Sequence, residues 1–359
     1  MTEDRMTMLF FEMFTGLPRQ GPGDPASTLR AWSMVPDAGP HTRVLDLGCG
    51  TGVPTRVLAQ QSPARFVAID HHAPYIEELI RHAGADGLTD RVEARVGDMR
   101  ALEFTDESFD VIWCEGAIYV VGFEVGLREW RRLLVPGGHL VVSEACWTRP
   151  DAPRECIDFW MREYPAIRDA PALLRAIHDC DYDVVGHFTL PVSSWWDDYS
   201  RPLQQHVIEF RDRHRREPDA QELADSVQRE IDVWRAYSEY YSYEFFVIRK
   251  RRSTPLAFQR AGHVIEDVLH CLAPDTEPDE ALADGVAAPA CAPFGHRVHA
   301  AEAGGFAHEG QRLQKPFGVL AGRQLEADDV AERIHLALGE RVTRVCGETR
   351  IVHGDDASL

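Results

Sequence analysis

Between His41 and Glu144 the chain alternates short apolar runs with longer amphipathic segments. The runs are Arg43–Leu47, Arg65–Ile69, Val92–Val96, Phe109–Trp113 and His139–Ser143. Each is short, rich in β-branched or aromatic residues and bounded by turn residues, which is how buried parallel strands read. Between them, Pro74–Ala83 and Glu124–Leu134 have helical length and spacing. Strand–helix alternation predicts an α/β, doubly wound sheet.

The flanks read differently. Met1 to about Pro40 predicts helical pieces joined by the Pro/Gly-rich loop Leu17–Pro25, with a short helix over Ala26–Trp32. Residues 150–180 read as helical, Val184–Leu190 as a strand, the charged stretch Asp197–Tyr240 as mostly helical, and Glu244–Ile248 as a last strand. The pattern changes after Arg252. Ser253–Leu359 is acidic, with helical pieces over Ala257–Leu272 and Asp328–Leu338. A linker over Pro274–Pro293 and a hairpin of Val342–Cys346 with Thr349–Val352 complete it. The expected organisation is a domain over residues 1–252, with cap segments at about 1–40 and 147–240, followed by an extension over 253–359.

Charge narrows the partners. With 38 Lys+Arg against 58 Asp+Glu, the 359-residue chain carries a net charge of −20. Nucleic acid and anionic membranes both need cationic surface, so neither is expected. No run approaches the roughly 20 apolar residues of a membrane span, and Met1–Arg5 does not open a secretory signal. Eight cysteines without a CxxC pair read as free thiols of a cytoplasmic protein.

The chemistry concentrates at strand ends. The first strand runs into Asp46-Leu47-Gly48-Cys49-Gly50-Thr51-Gly52, where glycines let the backbone turn tightly and approach a ligand. A dinucleotide fingerprint would place its third glycine at position 53, which is Val53. Asp46 would repel a pyrophosphate but can pair with a cationic amino group. The expected ligand is therefore a nucleoside bearing an amino acid. Asp70, ending the second strand, can accept from both ribose hydroxyls. Asp98, after the third strand, can accept from an adenine amino group. Any one of these acids alone would read as a cap or turn residue; three at successive strand ends, in this order, do not.

With these motifs the chain resembles the class I S-adenosylmethionine-dependent methyltransferases over about residues 1–252. Phe109-Asp110-Val111-Ile112 and Val135-Pro136-Gly137-Gly138 extend the likeness. It is further similar to small bacterial methyltransferases of uncharacterised substrate, through Arg19-Gln20-Gly21-Pro22-Gly23, Glu115-Gly116-Ala117-Ile118-Tyr119, Ser143-Glu144-Ala145, Asp158-Phe159-Trp160 and Tyr240-Tyr241-Ser242-Tyr243. The resemblance implies a Rossmann-like sheet of seven strands, the last antiparallel, with a helical cap. It implies S-adenosyl-L-methionine as cofactor and transfer of its methyl group to a small-molecule acceptor by in-line displacement. Gly48, Gly50 and Gly52 would then lie under the methionyl part, Asp70 would hold the ribose, and Asp98 with the Met99 amide would read the adenine. The extension has no counterpart in that resemblance.

The acceptor side is less defined. Glu115, after the fourth strand, reads as a residue that orients or deprotonates the acceptor, or as a loop acid or cofactor contact. Tyr119 reads as lining the methyl channel, or as core. Glu144 is ambiguous in the same way. Trp147, Trp160, Tyr164, Trp195, Trp196, Tyr199, Tyr240, Tyr241 and Tyr243 would bind an apolar or planar acceptor, favour a sulfonium, or build the cap's core. The Arg211–Arg216 cluster, flanked by acids, reads as a solvated helix end. Cys291, His296, His299 and His308 lack the tight paired spacing of zinc ligands and read as a solvated loop. The rival function is a cofactor-binding scaffold whose His/Cys-containing extension senses metal or binds a partner. No oligomeric state follows from the sequence.

Overall fold

The computed structural model describes residues 3–36 and 38–252, and the backbone of two short strands at Val342–Val345 and Glu348–Ile351. Those two strands pair antiparallel, as the hairpin pattern predicts. The expected helices at Ala257–Leu272 and Asp328–Leu338, the Pro274–Pro293 linker and the Cys291/His296/His299/His308 set lie outside the described residues.

The sheet forms first from the predicted runs. Strands β1 (Arg43–Leu47), β2 (Arg65–Asp70), β3 (Val92–Val96), β4 (Phe109–Cys114) and β5 (Leu134–Trp147) are parallel neighbours in the order β3-β2-β1-β4-β5. Helices α3 (Val53–Gln61), α4 (Ala73–Ala85) and α5 (Phe123–Arg131) supply connections between them, after α1 (Glu3–Phe14) and α2 (Pro25–Trp32). A two-residue strand β6 (Arg168–Asp169), lying between α6 (Arg154–Glu163) and α7 (Ala170–Asp179), adds to the end of β5. The last sheet strand, β8 (Tyr241–Lys250), runs antiparallel between β5 and β7 (Tyr182–Thr189). The main path thus has the seven strands the resemblance implies, and β6 makes an eighth. Two-residue pairing leaves no periodic trace, so β6 was invisible in the pattern.

β5 is longer than its apolar core His139–Ser143 suggests. The Pro136-Gly137-Gly138 turn signal lies inside the strand, and the ladder with β4 jumps from Phe109↔Leu134 to Val111↔His139 across it. The turn chemistry is absorbed as an irregularity, with Gly137 at φ 84°.

Apolar faces bury both sides of the sheet. Val44, Phe66, Trp113, Val141 and Phe245 face one core, and Leu45, Ile69, Ile112, Leu140 and Phe246 face the other. A third core joins α1 to the cap helices α9 (Arg201–Arg213) and α10 (Pro218–Tyr237), through Phe10, Met13, Phe14, Leu203, Phe210 and Val227. The cap begins with α8 (Val192–Trp195) and a wide π turn at Trp196–Ser200.

Gly52 shows how the fold sets the β1–α3 turn. It caps α3 in the left-handed region, at φ 78°, and a Cβ there would meet the Leu79 Cδ1 at 2.1 Å. Left-handed backbone costs a non-glycine residue roughly 1–2 kcal/mol, and the contact adds to it. Gly52→Ala should lower unfolding stability by at least about 2 kcal/mol in a urea titration. Gly87, also at positive φ with nothing within 4 Å of an added Cβ, should lose only the backbone contribution when changed to Ala.

Candidate functional site

The predicted acids converge on one cavity at the carboxyl ends of β1, β2 and β4. Its wall includes Asp46, Gly48, Gly50, Asp70, Asp98, Met99, Glu115 and Tyr119. Open α/β sheets place ligands at this edge. Gly52 does not line it; it shapes the turn behind.

The turn is built by backbone hydrogen bonds. The Gly48 and Cys49 amides both donate to the Ile69 carbonyl, at 2.9 and 3.1 Å, tying the turn to β2. The Gly50 amide donates to Asp70 Oδ2, and the His72 amide to Asp70 Oδ1, each at 2.9 Å. These use two of the roughly four lone-pair positions of the carboxylate, so Asp70 is oriented while keeping accepting capacity. A Cβ on Gly48 would meet the Ala117 Cβ at 2.5 Å, so the cradle admits no larger residue there without displacement.

Asp46 is fully buried and accepts from the Thr55 hydroxyl at 2.5 Å. Burial, partly offset by the Thr55 bond, pushes its carboxyl up to about 7, with further raising by Glu115 and Asp70. Asp98 is partly exposed and bound by Arg100, whose backbone amide and Nε both donate to Oδ1 at 2.9 Å. That contact holds Asp98 below the usual carboxylate range. Met99 puts its side chain at the cavity wall, while its carbonyl accepts from Trp130 Nε1 at 3.1 Å.

Glu115 stands on the loop after β4, but its side chain is shielded from solvent. It forms a buried ion pair with Arg19, its carboxylate also accepts from Thr28 Oγ1 at 3.0 Å, and Trp113 Nε1 donates to it at 3.3 Å. Tyr119 lies on a short 3-10 turn, Ile118–Val120, with its ring edge-on to Tyr164 at 6.2 Å. Burial, followed by the nearby Glu230 and Glu144, raises its hydroxyl far above the ordinary tyrosine range.

Arg19 and Gln20 were missed as chemistry, although they stand in a motif of the resemblance. Arg19 lines the cavity with 8% of its side chain exposed. Its Nη2 serves Glu115, and its Nη1 has no hydrogen-bond partner among the described residues. A buried guanidinium nitrogen without an acceptor can serve an anion. Gln20 Oε1 accepts from the Thr51 amide at 3.2 Å and its hydroxyl at 2.9 Å, anchoring the segment over the glycine turn. Local pattern could not reveal this, because both contacts close long loops.

The aromatic residues divide as the core reading expects in most cases. Trp160, Trp195, Tyr241 and Tyr243 are buried, and Trp195 packs on Trp234, Tyr241 and Tyr243. Tyr240 instead lies under the Arg149 guanidinium at 4.8 Å. Of the Arg211–Arg216 cluster, Arg211 pairs with Asp225, and Arg213 with Glu12, in line with a solvated helix end. Among the described residues no group of three or more His, Cys, Asp or Glu could hold a metal ion, and no helix is long and apolar enough to cross a membrane.

Residues 44–138 match the family model of a methyltransferase domain. A sterol 24-C-methyltransferase of Aspergillus fumigatus is 33% identical over 31% of this chain and 29% of its own length. A 2-methyl-6-phytyl-1,4-hydroquinone methyltransferase of Synechocystis is 31% identical over 38% of this chain and 41% of its own. The chain thus spans less than half the length of these curated relatives. Among solved structures, an S-adenosylmethionine-dependent methyltransferase of Geobacter sulfurreducens, crystallised with S-adenosyl-L-homocysteine, superposes with a TM-score of 0.61. It is 22% identical, over 68% of this chain and 98% of that one. The fold is that of class I S-adenosylmethionine-dependent methyltransferases, with a Rossmann-like sheet.

The Arg19–Glu115 pair carries a stability test. Removing one partner of a buried ion pair strands the other charge and costs about 3–5 kcal/mol. Glu115→Ala should lose about that much in urea unfolding. Arg19→Met combined with Glu115→Leu, which removes both charges, should recover at least half of the loss.

Proposed function

We propose that the chain is an S-adenosylmethionine-dependent methyltransferase acting on a small molecule. One observation carries the reading: the glycine turn of a methyltransferase domain, fixed by Asp70, opens on a cavity that also holds Asp46, Asp98 and the unspent Arg19 nitrogen. S-adenosylmethionine, when bound, supplies a methyl group already activated on a sulfonium. Gly48 and Gly50 give its methionyl part room, and Gly52 shapes their turn. Asp46 pairs with the amino group, Arg19 with the carboxylate, Asp70 with the ribose, and Asp98 and Met99 with the adenine. The donor set fits a cofactor bearing both an ammonium and a carboxylate, because a buried acid and a buried guanidinium face the same cavity.

The protein's part in the transfer is alignment rather than nucleophilic attack. Glu115 has its carboxylate committed to Arg19, Thr28 and Trp113. Its proposed role is to aim the Arg19 guanidinium rather than to orient or deprotonate the acceptor itself. Tyr119, kept neutral by burial, can donate its hydroxyl proton at the acceptor end of the cavity. The sterol and hydroquinone relatives support a small-molecule acceptor as a class. The five buried free cysteines among the described residues fit a reducing cytoplasm. The net charge of −20 disfavours a nucleic-acid partner. We also keep residues 1–252 as the catalytic domain, since β8 already fills the sheet between β5 and β7. The metal-sensing scaffold has no observation in its favour.

Two measurements test the cofactor site. Asp70→Ala should weaken S-adenosylhomocysteine binding at least about tenfold in calorimetry, because bonds to a charged acceptor are worth roughly 1.5–3 kcal/mol each. Unchanged affinity, or competitive micromolar NAD binding, would refute the reading. The second test uses pH. A cationic amino group favours the ionised form of Asp46, whose carboxyl sits at about 7 in the free protein. Binding must therefore expel a proton below that pH, and affinity should rise with pH and level off above it. The expected loss is about tenfold at pH 6 relative to pH 8. Asp46→Asn should flatten this dependence.

A further inference from the structure

A second cleft, of about 650 Å³, opens between α6, the start of α7 and the strands β5, β7 and β8. Among the described residues it shares no wall residue with the cofactor cavity. Its volume lies in the range of small-molecule sites. Its floor is polar where the strand pattern calls for an apolar residue. On β8, Phe246 and Ile248 face one core while Tyr243 and Phe245 face the other. Alternation therefore puts Glu244 on the Phe246 side of the sheet, where it is 4% exposed.

Two residues of β7 satisfy this acid. Thr189 stands opposite Glu244 in the ladder, and its hydroxyl donates to Oε2 at 2.6 Å. His187 stacks on Phe246 with ring centres 6.0 Å apart and meets Oε1 through Nδ1 at 2.5 Å. A carboxylate only accepts, so Nδ1 is the donor, and the neutral ring keeps a lone pair on Nε2. His187 lines the cleft with 40% of its side chain exposed, and its Nε2 has no hydrogen-bond partner among the described residues. The charges nearby are already matched. Asp169 accepts from the Ala172 amide at 2.9 Å, and Arg149 pairs with Asp151 and Glu239. Glu144, opposite Glu244 on β5, bonds Tyr164 and does not line the cleft. The walls are apolar: Trp147, Pro171, and the neighbouring Ile157 and Met161 of α6.

We propose that this cleft is a second ligand site, and that it takes a neutral apolar ring bearing a hydroxyl, such as a phenol. The walls cover the ring, and the hydroxyl donates to His187 Nε2, whose orientation Glu244 fixes. A ring without that donor leaves Nε2 unserved once water is displaced. An ion finds no unmatched opposite charge in the cleft and loses its hydration on entering. The site goes beyond the cofactor reading and does not depend on it.

The probes are p-cresol, p-methylanisole, whose oxygen carries a methyl in place of the proton, and the ions p-methylbenzylammonium and p-methylbenzoate. Each is titrated into the full chain at pH 8 by ligand-observed NMR, with and without saturating S-adenosylhomocysteine. The cresol should bind at least about tenfold tighter than each of the others, equally well in both conditions. His187→Phe keeps a ring on Phe246 and removes the nitrogens; it should bring cresol and anisole to within about threefold of each other. Met161→Trp narrows the cleft from a side chain that is 42% exposed. It should weaken cresol binding at least about fivefold and leave the affinity for S-adenosylhomocysteine within about twofold. Equal binding of cresol and anisole, tighter binding of either ion, displacement of cresol by S-adenosylhomocysteine, or a preference that survives His187→Phe would overturn the proposal. Should His187→Phe fail to fold, Met161→Trp decides, and undiminished cresol binding counts against the cleft. Failure of S-adenosylhomocysteine to bind while the cresol preference holds would instead overturn the cofactor reading and leave this site standing.

Discussion

The buried ion pair between Arg19 and Glu115 is the interaction on which the site's geometry depends. It joins the segment before α2 to the end of β4, across 96 residues of chain. Thr28, on α2, binds the same carboxylate, so the helix and the strand end share one anchor. Trp113 donates from the strand itself. The carboxylate holds the guanidinium against a cavity where it would otherwise be expensive to bury. The arrangement leaves one guanidinium nitrogen without an acceptor among the described residues.

The same logic explains the division of labour among the acids. Asp70 is fixed by backbone donors, so its position follows from the chain trace. Asp46 is fixed by one hydroxyl and by burial, so its charge state is open to the ligand. Asp98, partly exposed and paired with Arg100, bears its charge at little cost and can exchange that partner for another donor. Three acids at three strand ends thus differ in environment, as the assignment proposed above requires of an ammonium, a diol and a purine edge.

What could be read in the sequence was what is local. Arg43–Leu47 and Val92–Val96 coincide with strands, because short β-branched runs bounded by turns have few other uses. The Asp46–Gly52 turn and the strand-end acids were legible because the phosphate-free glycine spacing constrains a backbone, and backbone constraints appear as residue types at fixed offsets. The surroundings of Glu115 were not legible, since its partners Arg19 and Thr28 lie 96 and 87 positions away. Nor was the extent of β5, where a Pro-Gly-Gly turn signal is overridden by ladder pairing on both sides.

The aromatic density of the cap was legible as composition but not as purpose. Most of those rings do what apolar rings ordinarily do, and Trp195 stacked near Trp234 and Tyr241 is core by any measure. Packing alone, however, would be served better by phenylalanine than by tyrosine, whose hydroxyl must find a partner when buried. A core that buries Tyr199, Tyr241 and Tyr243 gives up stability that Phe would supply wherever a hydroxyl goes unmet.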